Sequence, residues 1–220
     1  MIKINKLVRS KRKTLALIVE TDGTLTVRAP QRMKEADIRH FIETKADWIK
    51  RKQAKAWEAA VYLRKYVDGE SFWYLGENIL LCIVAGKKPA LVLDGLFKLS
   101  ASAQPKAEAV FTAWYRKRAR TVLTERVEFF SRGYGFKAGR IRISSARTRW
   151  GSCSSKGTLS FTWRLVMAPM NVVDYVVVHE LCHLTAMNHS KAFWAEVEKI
   201  LPDYKERRKW LKNNGTKLHL

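Results

Sequence analysis

Hydrophobic and polar positions change their spacing several times along the chain, and each change predicts a different element. Residues 15–20 and 24–28 are rich in apolar and β-branched positions on either side of an Asp-Gly turn, which predicts a β-hairpin. From 34 to 64, apolar residues recur at helical spacing and basic residues fill the other face, so we expect one long helix. Residues 66–100 return to short apolar runs broken by glycines, which predict further short strands.

The second half of the chain alternates between the same kinds of pattern. It begins with a basic helical stretch, and a later helical segment is apolar on nearly every side, as expected for a helix buried in a core. The predicted strands are 140–144, 150–153 and 157–166, and the predicted helices are 106–131, 171–186 and 191–200. We therefore expect an α+β protein, with a β-rich region holding one long helix at 1–104 and a second domain at 105–220.

Composition limits the class of protein. The chain has 220 residues, of which 47% are hydrophobic, and no apolar run approaches the roughly 18 residues of a membrane span. The apolar run at 15–19 is too short for a secretory signal and is followed at once by Glu20 and Asp22. The 3 cysteines are odd in number and lack a C-x-x-C pair. These features predict a cytoplasmic globular protein with no membrane partner.

The net charge of +22 is spread through the whole sequence rather than confined to a tail. Such a surface attracts polyanions, and the attraction weakens steeply with salt. Two interpretations stay open: a basic surface that is merely solvated, and a surface that binds nucleic acid or a nucleotide. Four arginines lead into the region with the candidate chemistry: Arg140, Arg142, Arg147 and Arg149.

Three of the 5 histidines lie close together near residue 180. His179, Glu180 and His183 form an H-E-x-x-H motif, and His189 follows shortly after it. On a helix, residues four apart have Cβ atoms about 6 Å apart, whereas on a strand they lie about 13 Å apart, too far to share one ion. The motif therefore favours a helix that offers two imidazoles to a metal ion, with a carboxylate beside them.

This arrangement predicts a zinc-dependent hydrolase with one zinc ion per chain. His179 and His183 are expected to bind the metal through neutral imidazole nitrogens. Glu180 is expected to be the general base that takes the proton of the attacking water. Cys182 points away from the histidines on the helix and is expected in the core, and Cys153 lacks a free histidine that would activate it as a nucleophile.

The third metal ligand is expected to be His189 rather than Glu196. Too few residues separate His183 from Glu196 for the excursion that a second, antiparallel helix needs. A helix that ends near Ala186 can instead turn back and bring His189 to the ion, with Asn188 in the left-handed conformation that ends helices.

Longer strings around the motif resemble the YgjP-like metallopeptidase family. The strings are Arg149-Trp150-Gly151-Ser152-Cys153-Ser154, Tyr175-Val176-Val177-Val178-His179-Glu180-Leu181 and Asn188-His189-Ser190 with Phe193-Trp194, and Val27-Arg28-Ala29-Pro30 and Trp48-Ile49 also fit. The resemblance covers nearly all of the chain. It implies a zinc hydrolase whose small zincin-like catalytic domain is similar to the core of the WLM and SprT-type proteases, which act on proteins crosslinked to DNA.

The leading functional hypothesis is a metallopeptidase that acts on a peptide or protein. The alternatives are a nucleotide pyrophosphohydrolase or phosphohydrolase, a nucleic-acid-associated protease that acts on DNA-bound proteins, and a nucleic-acid-bound module with a structural metal. A strand near 158–164 is expected to form the rim of the cleft, because extended peptides pair with exposed strand edges. The candidate substrate-binding residues are Arg147, Arg149, Trp150 and Tyr204.

Overall fold

The computed structural model describes residues 2–20, 22–61 and 64–220. The chain divides into two compact units, Met1–Arg64 and Lys65–Leu220. The sequence pattern predicts a boundary at residue 104, forty residues further on. The difference arises because the segment before 104 shares a core with the helices that follow it: the ring of Phe72 stacks on that of Phe111 with centroids 4.4 Å apart.

The first unit contains a three-stranded sheet in the order β1-β3-β2. Its strands are β1 (Lys6–Ser10), β2 (Ala16–Val19) and β3 (Leu25–Pro30). The predicted hairpin is confirmed, because β2 and β3 pair antiparallel. The strand β1, which has no counterpart among the predicted elements, pairs with β3 in parallel.

Two helices replace the single long helix predicted for the first unit. They are α1 (Glu35–Thr44) and α2 (Ala46–Val61). The break falls at Lys45, whose φ of −108° and ψ of 12° depart from helical geometry. Apolar residues of the sheet and both helices form the core of this unit: Leu25, Val27, Ala29, Ile38, Ile42 and Ile49.

The second unit begins with a four-stranded sheet in the order β4-β5-β7-β6. The strands are β4 (Ser71–Tyr74), β5 (Glu77–Val84), β6 (Leu91–Asp94) and β7 (Leu96–Ser100). The next element, α3 (Ala107–Tyr134), is the basic helix that the sequence predicts, and it ends at Gly135 in the left-handed conformation, with φ of 74°. Phe72, Phe97 and Phe111 pack the sheet against α3.

A second small sheet has the order β8-β10-β9. Its strands are β8 (Ile141–Ser144), β9 (Gly151–Cys153) and β10 (Leu159–Thr162). The strand expected at the rim of the cleft corresponds to β10, which is the central strand, parallel to β8 and antiparallel to β9. The prediction of a rim at 158–164 is therefore wrong, since both sides of β10 are already paired. The edge strand that packs on the motif helix is β9.

Three helices complete the second unit: α4 (Met170–Cys182), α5 (Lys191–Ile200) and α6 (Tyr204–Asn214). The motif helix α4 ends at Cys182 rather than at Ala186. The turn after Cys182 is tighter than a helical turn, since both Thr185 and Ala186 donate backbone hydrogen bonds to the carbonyl of Cys182, at 3.1 and 3.0 Å. A bidentate ion pair between Arg126 and Asp174, at 2.6 and 3.0 Å, joins α3 to α4. Within the described residues, no helix combines the length and hydrophobicity that a membrane span requires.

Candidate active site

The last turn of α4 and the residue after it present the two histidines of the motif. His179 lies within the helix, and His183 is its C-cap residue but keeps helical angles, with φ of −67° and ψ of −13°. The one-turn spacing is therefore preserved, and the two ring centroids lie 4.9 Å apart. The Nδ1 atom of His183 donates to the carbonyl oxygen of Ala186 at 3.0 Å, which leaves Nε2 of this ring as the nitrogen available to a metal ion.

His189 returns to the same point from the loop between α4 and α5. Its Nε2 atom is 3.0 Å from Nε2 of His179, and the candidate ligand atoms of the three histidines all lie within 4.8 Å of one another. Two nitrogens that share a tetrahedral zinc ion are about 3.3 Å apart, because each Zn–N bond is about 2.05 Å. The histidine cluster, defined as His179, His183 and His189, therefore fits a single ion and leaves a fourth position for water or substrate.

The turn that returns His189 differs in detail from the expected one. Among the described residues, the non-glycine positions with positive φ are Tyr66 and Leu75, so Asn188 is not in the left-handed conformation. Ser190 accepts a side-chain hydrogen bond from the backbone N–H of Phe193 and so caps α5. The ring of Phe193 packs against those of all three clustered histidines, at centroid distances of 4.6 to 5.0 Å.

The environment favours the neutral forms of His179 and His189. Burial lowers the pKa of His179 to about 3, and the charges of His183, His189 and Arg208 act in the same direction. Burial also lowers the pKa of His189, with further contributions from His183 and Arg208. A neutral imidazole is the form that binds a metal ion, so His179 and His189 need not lose protons to bind a cation at neutral pH.

Glu180 is buried beside β9. Its side chain is 5% exposed, and a Cβ atom added at Gly151 would lie 2.5 Å from its Oε1 atom. Burial raises the pKa of Glu180 to about 7, while the charge of Arg149 acts in the opposite direction. A bound cation would favour the ionised carboxylate. The close approach of the carboxylate to the strand therefore depends on the absence of a side chain at Gly151.

Two of the four candidate substrate-binding residues act on the site. Arg149 is exposed and acts electrostatically on Glu180. Tyr204 is buried, and its ring stacks on Trp194 with centroids 5.3 Å apart and an interplanar angle of 16°. Trp194 in turn stacks on His189 at 5.6 Å. Tyr204 therefore supports the wall of the site through Trp194.

The other two candidates lie in different surroundings. Arg147 is exposed, and its charge lowers the pKa of Arg164, after the larger effect of burial. The indole of Trp150 packs close to Gly215, where an added Cβ atom would lie 2.8 Å from the ring. None of these contacts involves a clustered histidine or Glu180.

The competing groups near the motif are held apart from the histidine cluster. Among the described residues, the group that can hold a metal consists of the three histidines without Glu196. Burial raises the pKa of Cys182 to about 12, with Glu196 acting in the same direction. Burial and the charge of Glu180 raise the pKa of Cys153, which disfavours the reactive thiolate.

Gly151 and Arg208 lie at the site but are not among the candidate residues that the sequence indicates. Gly151 belongs to a string noted only for its resemblance, and nothing local indicates that a buried carboxylate would lie against it. Arg208 belongs to the basic run Arg207-Arg208-Lys209, which resembles any solvated helix face. In the structure its Cζ atom lies 4.9 Å from the centroid of the Trp194 ring.

An α+β fold in which three histidines and a buried glutamate converge at a sheet edge is typical of metal-dependent hydrolases. The chain belongs to the YgjP-like metallopeptidase domain family, whose model matches residues 13–214. The resemblance that the sequence strings indicate is thereby confirmed. The chain is also similar to the crystal structure of the metallopeptidase zymogen of Pyrococcus abyssi abylysin, with 28% identity, coverage of 41% of this chain and 93% of that chain, and a TM-score of 0.38. The comparison with curated proteins finds no significant match.

Proposed function

We propose that this member of the family is a zinc-dependent peptidase in which the histidine cluster holds one zinc ion and Glu180 is the general base. The convergence of three imidazoles, whose candidate ligand atoms lie within 4.8 Å of one another, carries the proposal. An all-nitrogen set of three ligands with an open fourth position is typical of catalytic zinc. When bound, zinc would activate water and polarise the carbonyl of the scissile bond.

Glu180 suits the transfer of a proton between water and the leaving group. It neighbours His179 on α4, and its burial keeps bulk water from competing for the proton. As a base it would accept a proton from the attacking water, and as an acid it would deliver that proton to the departing amine. Arg149 would favour the charged form of Glu180, since its positive charge lowers the pKa of the carboxyl group.

The edge strand β9 is the proposed docking site for the peptide backbone. It pairs with β10 on one side, through Gly151 with Phe161 and Cys153 with Leu159. The order of the sheet leaves the other side of β9 without a strand among the described residues. An extended peptide can add to such an edge through main-chain hydrogen bonds. The contact between Gly151 and Glu180 would bring the bound backbone close to the general base.

Metal analysis together with turnover tests the proposal. Zinc-loaded wild type should contain one zinc ion per chain and cleave peptides from a mixed protein digest. Glu180→Gln should keep the zinc and lose turnover, whereas His183→Ala should lose both. The exposed His40 provides a matched control, and His40→Ala should change neither. Zinc well below one per chain after loading, or full turnover by Glu180→Gln, would contradict the proposal.

A phosphohydrolase is the second candidate function. Arg149 and Arg208 both act electrostatically on residues of the site, and arginine is well suited to bind phosphate oxygens. Release of pyrophosphate or phosphate from nucleotides by the wild type, abolished by Glu180→Gln, would favour this candidate.

Nucleic acid that binds the basic surface and alters peptide turnover would favour a protease of DNA-bound proteins, and this binding should fall steeply with salt.

The free thiols of Cys82, Cys153 and Cys182 are consistent with the cytoplasmic location that the sequence predicts.

A further inference from the structure

Arg208 on α6 lies against the wall of the candidate active site. Its Cζ atom is 4.9 Å from the centroid of the Trp194 ring, and Trp194 stacks on His189 with centroids 5.6 Å apart. The indole therefore links the guanidinium to a clustered histidine through direct ring contacts. A cation over an aromatic face is held in place by the negative charge of that face, which orders an otherwise flexible side chain.

The described part of the chain provides no carboxylate partner for Arg208. Two other basic residues of α6 are paired with carboxylates: Arg207 with Asp203 at 2.9 Å and Lys205 with Glu198 at 3.2 Å. Arg208 contacts an indole instead and remains exposed. One face of its guanidinium is covered, whereas the N–H groups at the edge of a guanidinium can form a fork with two oxygens of an anion.

The guanidinium of Arg208 places a positive charge on the Trp194 wall of the site, and a cation there favours a negative charge bound beside it. The net charge of +22 adds a long-range attraction for anionic substrates.

We propose that Arg208 binds a carboxylate of the peptide substrate beside the histidine cluster and so determines specificity. This inference rests on the proposed peptidase function. The carboxylate has two sources, the C-terminus of the peptide and an acidic side chain next to the scissile bond. Both present the planar pair of oxygens that matches the fork of the guanidinium.

Equilibrium binding to the zinc-loaded Glu180→Gln protein tests the inference, because bound peptide is not consumed. The probes are N-acetylated tetra-alanine with a free carboxylate, the same peptide with a C-terminal amide, and the amide with one alanine replaced by glutamate. A peptide with a carboxylate at the right position should bind about tenfold more tightly than the plain amide, as expected for one charge-assisted contact at an exposed site. Calorimetry gives the affinity, and quenching of tryptophan fluorescence reports on Trp194.

Substitutions in the same background separate Arg208 from the general basic charge. Arg208→Gln should remove the roughly tenfold preference, and Arg208→Lys should restore part of it, since a lysine keeps the charge but not the fork. Lys209→Gln removes the same charge from the neighbouring exposed position and should leave the preference unchanged.

The pattern of binding identifies the source of the carboxylate. A preference for the free C-terminus supports recognition of the chain end, and a preference for the glutamate probe supports recognition of an acidic side chain. Equal affinities of Arg208→Gln and its parent for all three probes would overturn the inference. Arg208-dependent binding of a nucleoside triphosphate without binding of any peptide would also overturn it. A different result would show that the proposed function is wrong. In that case the wild type would bind zinc and the probes but would cleave no peptide.

Discussion

The buried carboxyl group of Glu180 should make the metal-free protein less stable as pH rises, and Glu180→Gln should remove this dependence. Burial raises the pKa of Glu180 from 4.5 to about 7 in the folded protein, whereas water surrounds the same group in the unfolded chain. Between these values the folded protein holds a proton that the unfolded chain has released. The free energy of unfolding therefore decreases with pH up to about pH 7 and is constant above it.

The two pKa values set the magnitude of the effect. Their separation corresponds to about 3 kcal/mol, because each pKa unit is equivalent to about 1.4 kcal/mol. Below about pH 4.5 the carboxyl group is neutral in both states, so wild type and Glu180→Gln should have similar stabilities. At about pH 8 the variant should be more stable than wild type by about 3 kcal/mol, because glutamine carries no charge that must be buried.

Urea unfolding of EDTA-treated protein at several pH values measures this difference. Titrations of groups that the two proteins share cancel in the comparison. Glu125→Gln is the matched control, since Glu125 is exposed on α3 and its substitution should leave the pH dependence of wild type intact. Identical pH dependence in wild type and Glu180→Gln would refute the reasoning, because Glu180 would then ionise as it does in water. Saturating zinc should reduce the difference, because a cation favours the carboxylate.

Three further predictions concern the ligands, the strand edge and the helix pair. Loss of a residue that only hydrogen-bonds to a metal ligand typically weakens metal binding by roughly 10- to 100-fold, so His189→Ala, which removes a ligand, should weaken zinc binding by more than this. Glu196→Ala should leave zinc binding nearly unchanged. Competition with a chelator measures both affinities, and the reverse result would make Glu196 the ligand. Gly151→Ala should lower kcat/KM by about a hundredfold at unchanged zinc content, since the added Cβ atom would lie 2.5 Å from the buried carboxylate; normal kcat/KM would contradict the need for this contact. Arg126→Met should lower the free energy of unfolding by about 3 kcal/mol, because the largely buried carboxylate of Asp174 on α4 loses its partner. The control is Arg132→Met, which breaks an ion pair whose side chains are 82% and 55% exposed and should change the free energy of unfolding by less than about 0.5 kcal/mol. Equal effects in urea unfolding would show that burial does not strengthen the first pair.

The elements that the sequence predicts well are those with a strong local signal. The motif helix is apolar on nearly every side, and its histidine spacing suits one conformation only. By contrast, the sequence indicates only a solvated helix face at Arg207-Arg208-Lys209 and does not give the bounds of α6 (Tyr204–Asn214). Its only buried residues within the described chain are Tyr204 and Leu211, two turns apart, so charged residues dominate its pattern. The strand β1 was missed for a related reason, since it has mostly exposed residues and pairs with a strand distant in sequence.

The features in which the structure differs from the sequence pattern depend on contacts between segments. No local pattern distinguishes a central strand from an edge strand, so the order β8-β10-β9 could not be predicted from the periodicity of β10. In the same way, the apolar pattern continues past Cys182, but α4 ends there and a turn leads to His189. The division at residue 64 rather than 104 likewise reflects the packing of Phe72 on Phe111, which lie far apart in sequence.

The residues of the candidate site show the same difference between local patterns and long-range contacts. The groups expected to hold the metal and move the proton lie within eleven residues, so their spacing alone predicts their convergence. The groups proposed to select the substrate, Arg208 and the edge at Gly151, reach the site from α6 and β9. Their roles depend on contacts with Trp194 and Glu180 that form only when the second unit folds. A short motif can therefore indicate the class of reaction, whereas specificity must be argued from the surfaces that surround it, because each of those surfaces comes from a different part of the chain.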